Sequence, residues 1–130
     1  METITENKVL FKEECYLIQG AIFEVYRELG CGFIEAVYQE ALAKEFASRS
    51  IPYCEQPEIT IFYKKELLRQ TFHPDFVCYD KIILELKAVK ETNEEFKAQL
   101  MNYMKISKLR LGLLVNFGHF PRATVERIIL

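Results

Sequence analysis

The chain has no long apolar run and no repeated or low-complexity tract. No stretch approaches the ~18 apolar residues of a membrane span. The start METITENKVLFKEE is polar and acidic, without the apolar centre of a signal peptide. We therefore expect a cytoplasmic protein with no membrane segment. The 130 residues predict a single domain, residues 1–130, which is long enough to bury a core.

Cysteine and histidine are too few and too scattered for a metal–thiolate cluster. The four cysteines lie far apart with no CxxC pair, and neither of the two histidines stands at zinc-ligand spacing. We expect the cysteines to be small buried side chains in a reducing compartment. They are Cys15, Cys31, Cys54 and Cys78.

The chain also lacks a large excess of either charge, since 17 Lys and Arg residues and 19 Asp and Glu residues give a net charge of -2. Proteins that attract nucleic acid without specificity usually carry a strong basic excess. The balance therefore argues modestly against broad nonspecific binding. Half of the residues are hydrophobic, as in an ordinary globular protein.

The spacing of apolar residues predicts an α/β fold. Apolar residues three and four apart predict helices over 11–29 and 34–49, and a third helix in ETNEEFKAQLMNYMKIS with Asn93 as a possible N-cap. Alternation or short apolar runs predict strands. The strands cover 59–63, 67–78, 81–89, 109–117 and 124–130. The order α, α, β, β, β, α, β, β predicts a single domain with a mixed β-sheet flanked by helices.

The third predicted strand carries two charges inside an apolar run. In IILELKAV, residues 82–89, Glu85 and Lys87 point to one face of the strand while their apolar neighbours point to the other. Uncompensated buried charge is costly. The pair is therefore either an exposed ion pair on the solvated face of an edge strand or part of a functional site. The strand alone supports both readings equally.

Asp75 favours the second reading. A hairpin that turns at residues 79–81 sets Asp75 opposite Glu85, whereas a strict two-residue turn sets Asp75 opposite Leu84 and on the other face. We therefore predict an odd-length turn or a bulge. Two adjacent carboxylates repel each other unless a cation lies near them. Lys87 could serve in part, and so could Mg²⁺, which takes one or two carboxylates together with water and phosphate oxygens.

These residues carry a family resemblance. Pro74-Asp75 followed by Glu85-Leu86-Lys87 resembles the motif of the PD-(D/E)XK nuclease superfamily. The order of elements is also similar to the restriction-endonuclease-like core of that superfamily, αβββαβ.

A second motif lies upstream. The stretch GFIEAVYQEAL, with Gly32, Glu35 and Tyr38, resembles the GxxExxY family, small prokaryotic proteins grouped with the same superfamily. The stretch AQLMNYMKISKLRLGLLVNFG is similar to the tail of that family. Together the matches cover residues 11–128.

The resemblance implies a nuclease that uses Mg²⁺ or Mn²⁺ and cleaves nucleic acid, DNA rather than RNA. It implies that Asp75, Glu85 and the carbonyl of Leu86 hold the metal, and that Glu35 adds to the metal shell directly or through water. Lys87 would orient or activate the attacking water and stabilise negative charge on the phosphate.

Gln99 and Tyr103 match the QxxxY element of RecB-like members, which implies a catalytic part for both. Four residues apart, they share a helix face. Taken alone, Gln99 is typical of a helix surface and Tyr103, like Tyr38, of a core aromatic with its hydroxyl at the rim. The chain departs from the family pattern at His73, where many members have arginine, and at Phe96, where many have histidine.

A rival interpretation belongs to another class of protein. The fold could serve as a catalytically inactive binding or assembly module, a reading that the weakly acidic charge favours. A chain of this size would need a homodimer or a protein partner to grip a duplex. The cationic run KISKLR, residues 105–110, is either a solvated helix end or a contact for a nucleic-acid backbone.

Overall fold

The fold is a mixed five-stranded β-sheet with helices on both faces. The structure is a computed structural model that describes residues 10–130. Three helices within these residues are α1 Lys12–Leu29, α2 Glu35–Ser48 and α3 Glu94–Ser107. The strands are β1 Tyr53–Glu55, β2 Ile59–Tyr63, β3 Glu66–Phe72, β4 Phe76–Cys78, β5 Ile82–Lys87, β6 Leu111–Asn116 and β7 Thr124–Ile129.

The main sheet has the strand order β1-β4-β5-β6-β7. Strands β5 and β6 are parallel and every other pair in this sheet is antiparallel. Helix α3 makes the crossover that a parallel pair requires. Strands β2 and β3 form a separate two-stranded hairpin. The predicted fold class, a mixed sheet flanked by helices, is confirmed.

The helices follow the predicted apolar stripes. On α1 the buried residues include Ile18, Ile22 and Val25, three or four apart, and this face packs into the main core. On α3 the side chain of Asn93 accepts a hydrogen bond of 2.9 Å from the backbone N–H of Phe96, which confirms the predicted N-cap.

Gly112 lets α3 approach the sheet closely. A Cβ at this position of β6 would lie 2.7 Å from the sulfur of Met104 and 3.2 Å from the side chain of Leu100. Both neighbours are fully buried residues of α3. A side chain at residue 112 would therefore push the helix away from the sheet.

The predicted strand 67–78 is wrong as one element. It divides into β3, which pairs with β2, and β4, which pairs with β1 and β5. The break falls at residues 73–75 because Pro74 has no backbone N–H for a sheet ladder. Strand β1 was not predicted either, and together with this division it gives five strands between α2 and α3 instead of three.

The cysteine prediction holds in part. Cys15 and Cys78 are buried, but Cys31 is half-buried and Cys54 is exposed. Cys54 lies in β1, which forms an edge of the main sheet and is exposed along its whole length. The acidic start, residues 1–9, lies outside the described residues. Within 10–130 none of the helices is both long and apolar enough to cross a bilayer.

Candidate active site

The hairpin of β4 and β5 brings the two acidic residues together. Three residues, 79–81, join the strands, and Phe76 pairs with Leu84. Continuing this register by one residue sets Asp75 opposite Glu85. The odd-length turn that this pairing requires is therefore confirmed.

Hydrogen bonds hold the carboxylate of Asp75 against β5. Its Oδ2 atom accepts a hydrogen bond of 2.7 Å from the backbone N–H of Leu86. The backbone N–H of Asp75 donates to Oε1 of Glu85 at 3.4 Å. The side chains of Asp75 and Glu85 are also close enough to hydrogen-bond each other when one carboxyl is protonated, and this contributes to the raised pKa of Glu85.

The two carboxylates disturb each other electrostatically. Burial raises the pKa of Glu85 to about 8, the nearby charge of Asp75 contributes to the rise, and Lys87 opposes it. Without a cation, burial and the neighbouring carboxylate therefore favour the protonated form of Glu85. A divalent cation would remove this cost, because it would offset the repulsion between the two ionised groups.

The donor set fits Mg²⁺. Across residues 10–130 no three His, Cys, Asp or Glu side chains are arranged to hold a metal ion, so the site offers a pair of carboxylates and no cage. Mg²⁺ is commonly held by one or two carboxylates and keeps several waters, with substrate phosphate oxygens as further ligands. Asp75 and Glu85 supply that number.

Lys87 lies on the same strand face but forms no salt bridge with any described residue. Its Nζ atom lies 4.3 Å from the centroid of the Phe96 ring on α3, a distance typical of a cation–π contact. Phe96 stands where the resembled family often has histidine. The ring holds the ammonium beside the carboxylates without pairing it to them.

The structure brings Tyr103 to the site more clearly than Gln99. Burial raises the pKa of Tyr103, and the charges of Glu85 and Asp75 raise it further, so the hydroxyl lies within electrostatic range of both groups. The Tyr103 ring stacks on Phe72 with a centroid distance of 4.2 Å. Gln99 is exposed and has no side-chain hydrogen bond within the described part of the chain.

Glu35 opens onto the same cavity as Asp75. It is exposed at the first residue of α2. A cavity of about 640 Å³ beside the hairpin is lined by both residues. The remaining lining residues are Ala36, Gln39, Glu40, Ala43, Lys44, Ala47, Tyr53, Glu55 and Gln56. The structure therefore places Glu35 on a cavity that reaches Asp75, whereas Glu85 does not line this cavity.

Gln39 was not predicted as a site residue. Its Nε2 atom donates to the backbone oxygen of Asp75 at 3.0 Å and to Oε2 of Glu55 at 3.1 Å. The backbone N–H of Gln56 donates to the same oxygen of Asp75 at 3.0 Å. The sequence did contain a signal, since Gln39 follows Glu35 by four residues and so shares its helix face.

Tyr38 is a core residue, as one of its two readings predicted. It is fully buried and its ring stacks on Phe117 with a centroid distance of 4.5 Å. Its hydroxyl donates to the backbone oxygen of Gly30 and accepts from the backbone N–H of Phe33. It therefore fixes the turn before α2, where Gly32 has φ +118°.

Comparison with known proteins agrees with this geometry. The crystal structure of SSO0001 superposes with a TM-score of 0.52 at 14% identity over 88% of this chain and 76% of that chain, which shows likeness of fold. No curated protein matches the chain. The family model described as PD-(D/E)XK nuclease superfamily matches residues 12–128. Nucleases of this superfamily generally use divalent metals and act on nucleic acid. The chain belongs to the PD-(D/E)XK nuclease superfamily.

Proposed function

We propose that the protein is a divalent-metal-dependent nuclease that hydrolyses phosphodiester bonds in DNA. One observation carries the proposal: Asp75 and Glu85 lie opposite each other, and burial together with the charge of Asp75 raises the pKa of Glu85 to about 8. A partly buried acidic pair with a strongly perturbed pKa is typical of functional sites, and a bound cation would relieve the repulsion between the ionised groups. Membership of a nuclease superfamily favours this reading over an inactive module.

Asp75, Glu85 and the carbonyl of Leu86 would hold Mg²⁺ or Mn²⁺, with Glu35 adding to the shell directly or through water. When bound, the ion would lower the pKa of a water molecule and withdraw charge from the scissile phosphate. The hydrogen bond from Leu86 keeps Asp75 Oδ2 in place. Gln39 fixes the backbone of Asp75 from α2, so the acidic pair is positioned before substrate arrives.

Lys87, Gln99 and Tyr103 would act on the substrate. The Lys87 ammonium would orient the attacking water and stabilise the negative charge that grows on the phosphate. Gln99 would position that water or a phosphate oxygen, and it is free to do so because its side chain makes no other hydrogen bond among residues 10–130. The Tyr103 hydroxyl, whose pKa is raised by burial and by the charges of Glu85 and Asp75, would donate to a phosphate oxygen.

We also assign the chain to the GxxExxY group within the superfamily, acting as a single domain in the cytoplasm. The motif residues have distinct places in the fold: Gly32 has a left-handed φ, Glu35 faces the cavity shared with Asp75, and Tyr38 fixes the intervening turn. All three motif residues thus have a structural or site role around the start of α2, which supports the assignment to the GxxExxY group.

The test is cleavage by purified protein of single- and double-stranded DNA and RNA, with Mg²⁺, Mn²⁺ or EDTA. Glu85→Gln keeps the shape of the side chain but removes its charge. We expect it to lower the rate roughly 100-fold or more, because transition-state stabilisation depends on the bound cation. Asp75→Asn should act similarly. Glu13→Gln, an exposed residue on α1, is the matched control and should cleave at the wild-type rate.

Calorimetry of Mg²⁺ binding separates the two interpretations. We expect wild type to bind the ion and both carboxylate variants to lose most of the binding. Ion binding with no cleavage of any nucleic acid would identify an inactive module. Absence of both would show that the acidic pair has another role.

A further inference from the structure

The β2–β3 hairpin stands apart from the main sheet but begins at the candidate site. It pairs only with itself, and residues 62–70 are all exposed. At its base, the ring of Phe72 stacks on Tyr103, and the chain then passes through residues 73 and 74 to Asp75. A cavity of about 600 Å³ separates the hairpin from Ile106 and Lys108 at the end of α3.

The hairpin carries three cations that form no salt bridge with any described residue, although Glu66 follows Lys65 directly. Lys64 and Lys65 form its tip, and Arg69 follows on β3. Salt bridges that the described residues make with one another all lie on other elements. They join Arg27 with Glu24 and Glu28, Arg49 with Glu45, Lys81 with Glu14, and Lys97 with Glu94 and Glu126. Residues 59–72 hold these three cations and one carboxylate, Glu66, so the hairpin is net cationic although the whole chain has a net charge of -2.

Aromatic and apolar side chains accompany these cations. Phe62 and Leu67 face each other across the hairpin and are 61% and 62% exposed, and Tyr63 is 61% exposed. Lys64 lies over the Tyr63 ring at 5.5 Å. Exposed aromatics interleaved with cations are typical of surfaces that contact nucleic-acid backbone and bases.

We propose that this hairpin is an arm that grips duplex DNA beyond the cleavage site. Lys64, Lys65 and Arg69 bind backbone phosphates, and Phe62 packs against the groove wall. A two-stranded ribbon fits the major groove. From Phe72 to the tip the arm reaches about 20 Å, since each strand residue rises ~3.3 Å. The tip would therefore contact the DNA about six base pairs from the scissile phosphate. The location of that phosphate rests on the proposed function.

A second copy of the chain is a poorer occupant of this surface. In a two-fold symmetric contact the same patch meets itself. A contact centred on the tip would bring Lys64 and Lys65 of both copies together, and like charges repel across such an interface. The exposed Phe62 and Leu67 pair alone would favour self-association, so the oligomeric state is part of the test.

The turn itself offers a variant that removes charge without harming the fold. Lys64 and Lys65 have φ values of 50° and 70°, as in a type I′ turn, which prefers Asn-Gly. Lys64→Asn with Lys65→Gly should therefore fold at least as stably as wild type. Lys12→Gln with Arg122→Gln removes the same charge from exposed positions elsewhere and is the matched control.

Binding of a 20-base-pair DNA is measured by fluorescence anisotropy across a salt titration, in an Asp75→Asn background in which we expect cleavage to be roughly 100-fold slower or more. Loss of two phosphate contacts should weaken affinity about 10-fold at about 0.15 M salt and reduce the slope of log K against log salt by about 1.8. The control should keep wild-type affinity and slope. On a hairpin DNA with a stem shorter than about six base pairs, the two tip lysines should make no difference.

Three results would contradict the proposal that the hairpin binds DNA. They are no DNA binding in the Asp75→Asn background, no loss of DNA affinity on changing Lys64 and Lys65, or an equal loss of affinity in the control. Sedimentation showing that the tip variant or Phe62→Ser converts a dimer to a monomer, with DNA affinity unchanged, would assign the surface to self-association. Lysine-dependent binding in a wild-type protein that cleaves no DNA would refute the nuclease proposal and leave the arm standing.

Discussion

On one face of the main sheet, α1 and α2 cover apolar side chains from β4, β5 and β6 in one large core. On the other face, α3 covers a small core around Ile83, Leu100, Met104 and Leu114, beyond which the acidic pair and Lys87 begin. Alternate residues of β5 belong to different faces. The same strand therefore supplies stability on one side and a candidate site on the other, which shows why charged residues can stand in so apolar a run.

The largest expected effect comes from a substitution on the sheet face that α1 and α2 cover. Leu84 is fully buried between the sheet and the α1–α2 layer. Leu84→Ala should lower the free energy of unfolding by about 3 kcal/mol, because it removes buried methyl groups and leaves a cavity. Urea unfolding measures the loss.

Leu67→Ala is the matched control, since Leu67 is 62% exposed on the hairpin. It should cost less than about 1 kcal/mol. Equal losses for the two leucine variants would mean that the sheet face under α1 and α2 is not the main source of stability.

The second expected effect concerns the site face and its dependence on pH. The pKa of Glu85 rises from 4.5 to about 8 on folding, through burial and then the charge of Asp75, while Lys87 acts in the opposite direction. Between these pH values the folded chain holds a proton that the unfolded chain has released. Without metal, stability should therefore fall as pH rises from about 5 to 8 and level off above that range.

Unfolding in EDTA at a series of pH values measures this slope. Glu85→Gln should flatten it, whereas the exposed Glu13→Gln should leave it unchanged. Mg²⁺ should stabilise wild type more at pH 8 than at pH 6, because binding at the lower pH must first displace the proton. A wild-type stability that rises between pH 5 and 8 would contradict the assignment.

The sequence predicted the features of the two sheet faces that depend on local periodicity and on the pairing register of β4 with β5. The stripes of α1 and α3 and the N-cap at Asn93 follow from spacing alone. The odd-length turn followed from requiring Asp75 and Glu85 on one face, and the three-residue connection satisfies it. Alternation along β5 also separated Glu85 and Lys87 from their apolar neighbours.

Other features depend on contacts between distant segments. Strands β1 and β4 have three residues each, too few for a period-two signal, and they pair across more than twenty residues of chain. Periodicity also cannot tell that β3 and β4 belong to different sheets. The contact of Lys87 with Phe96 joins a strand to a helix, so the periodicity of either element cannot predict it. The family pattern gave no indication either, because many members have histidine at the position of Phe96.

The smallest expected effect tests how that contact positions Lys87. Phe96→Leu removes the ring 4.3 Å from the ammonium but keeps an apolar side chain against the α3 core. We expect a loss of about 0.5 kcal/mol in stability, as for a partly exposed cation–π contact. A several-fold fall in kcat should accompany it, because the ammonium then samples positions away from the phosphate.

The double variant Phe96→Leu with Lys87→Met isolates the contact from ordinary packing. If the ring acts through the ammonium, Phe96→Leu should cost little further stability once Lys87 is replaced. Phe96→Trp, which keeps an aromatic face, should restore most of the kcat. An equal stability loss in both backgrounds would show instead that Phe96 serves only the small core beneath α3, and that Lys87 reaches its place at the carboxylates without help from the helix.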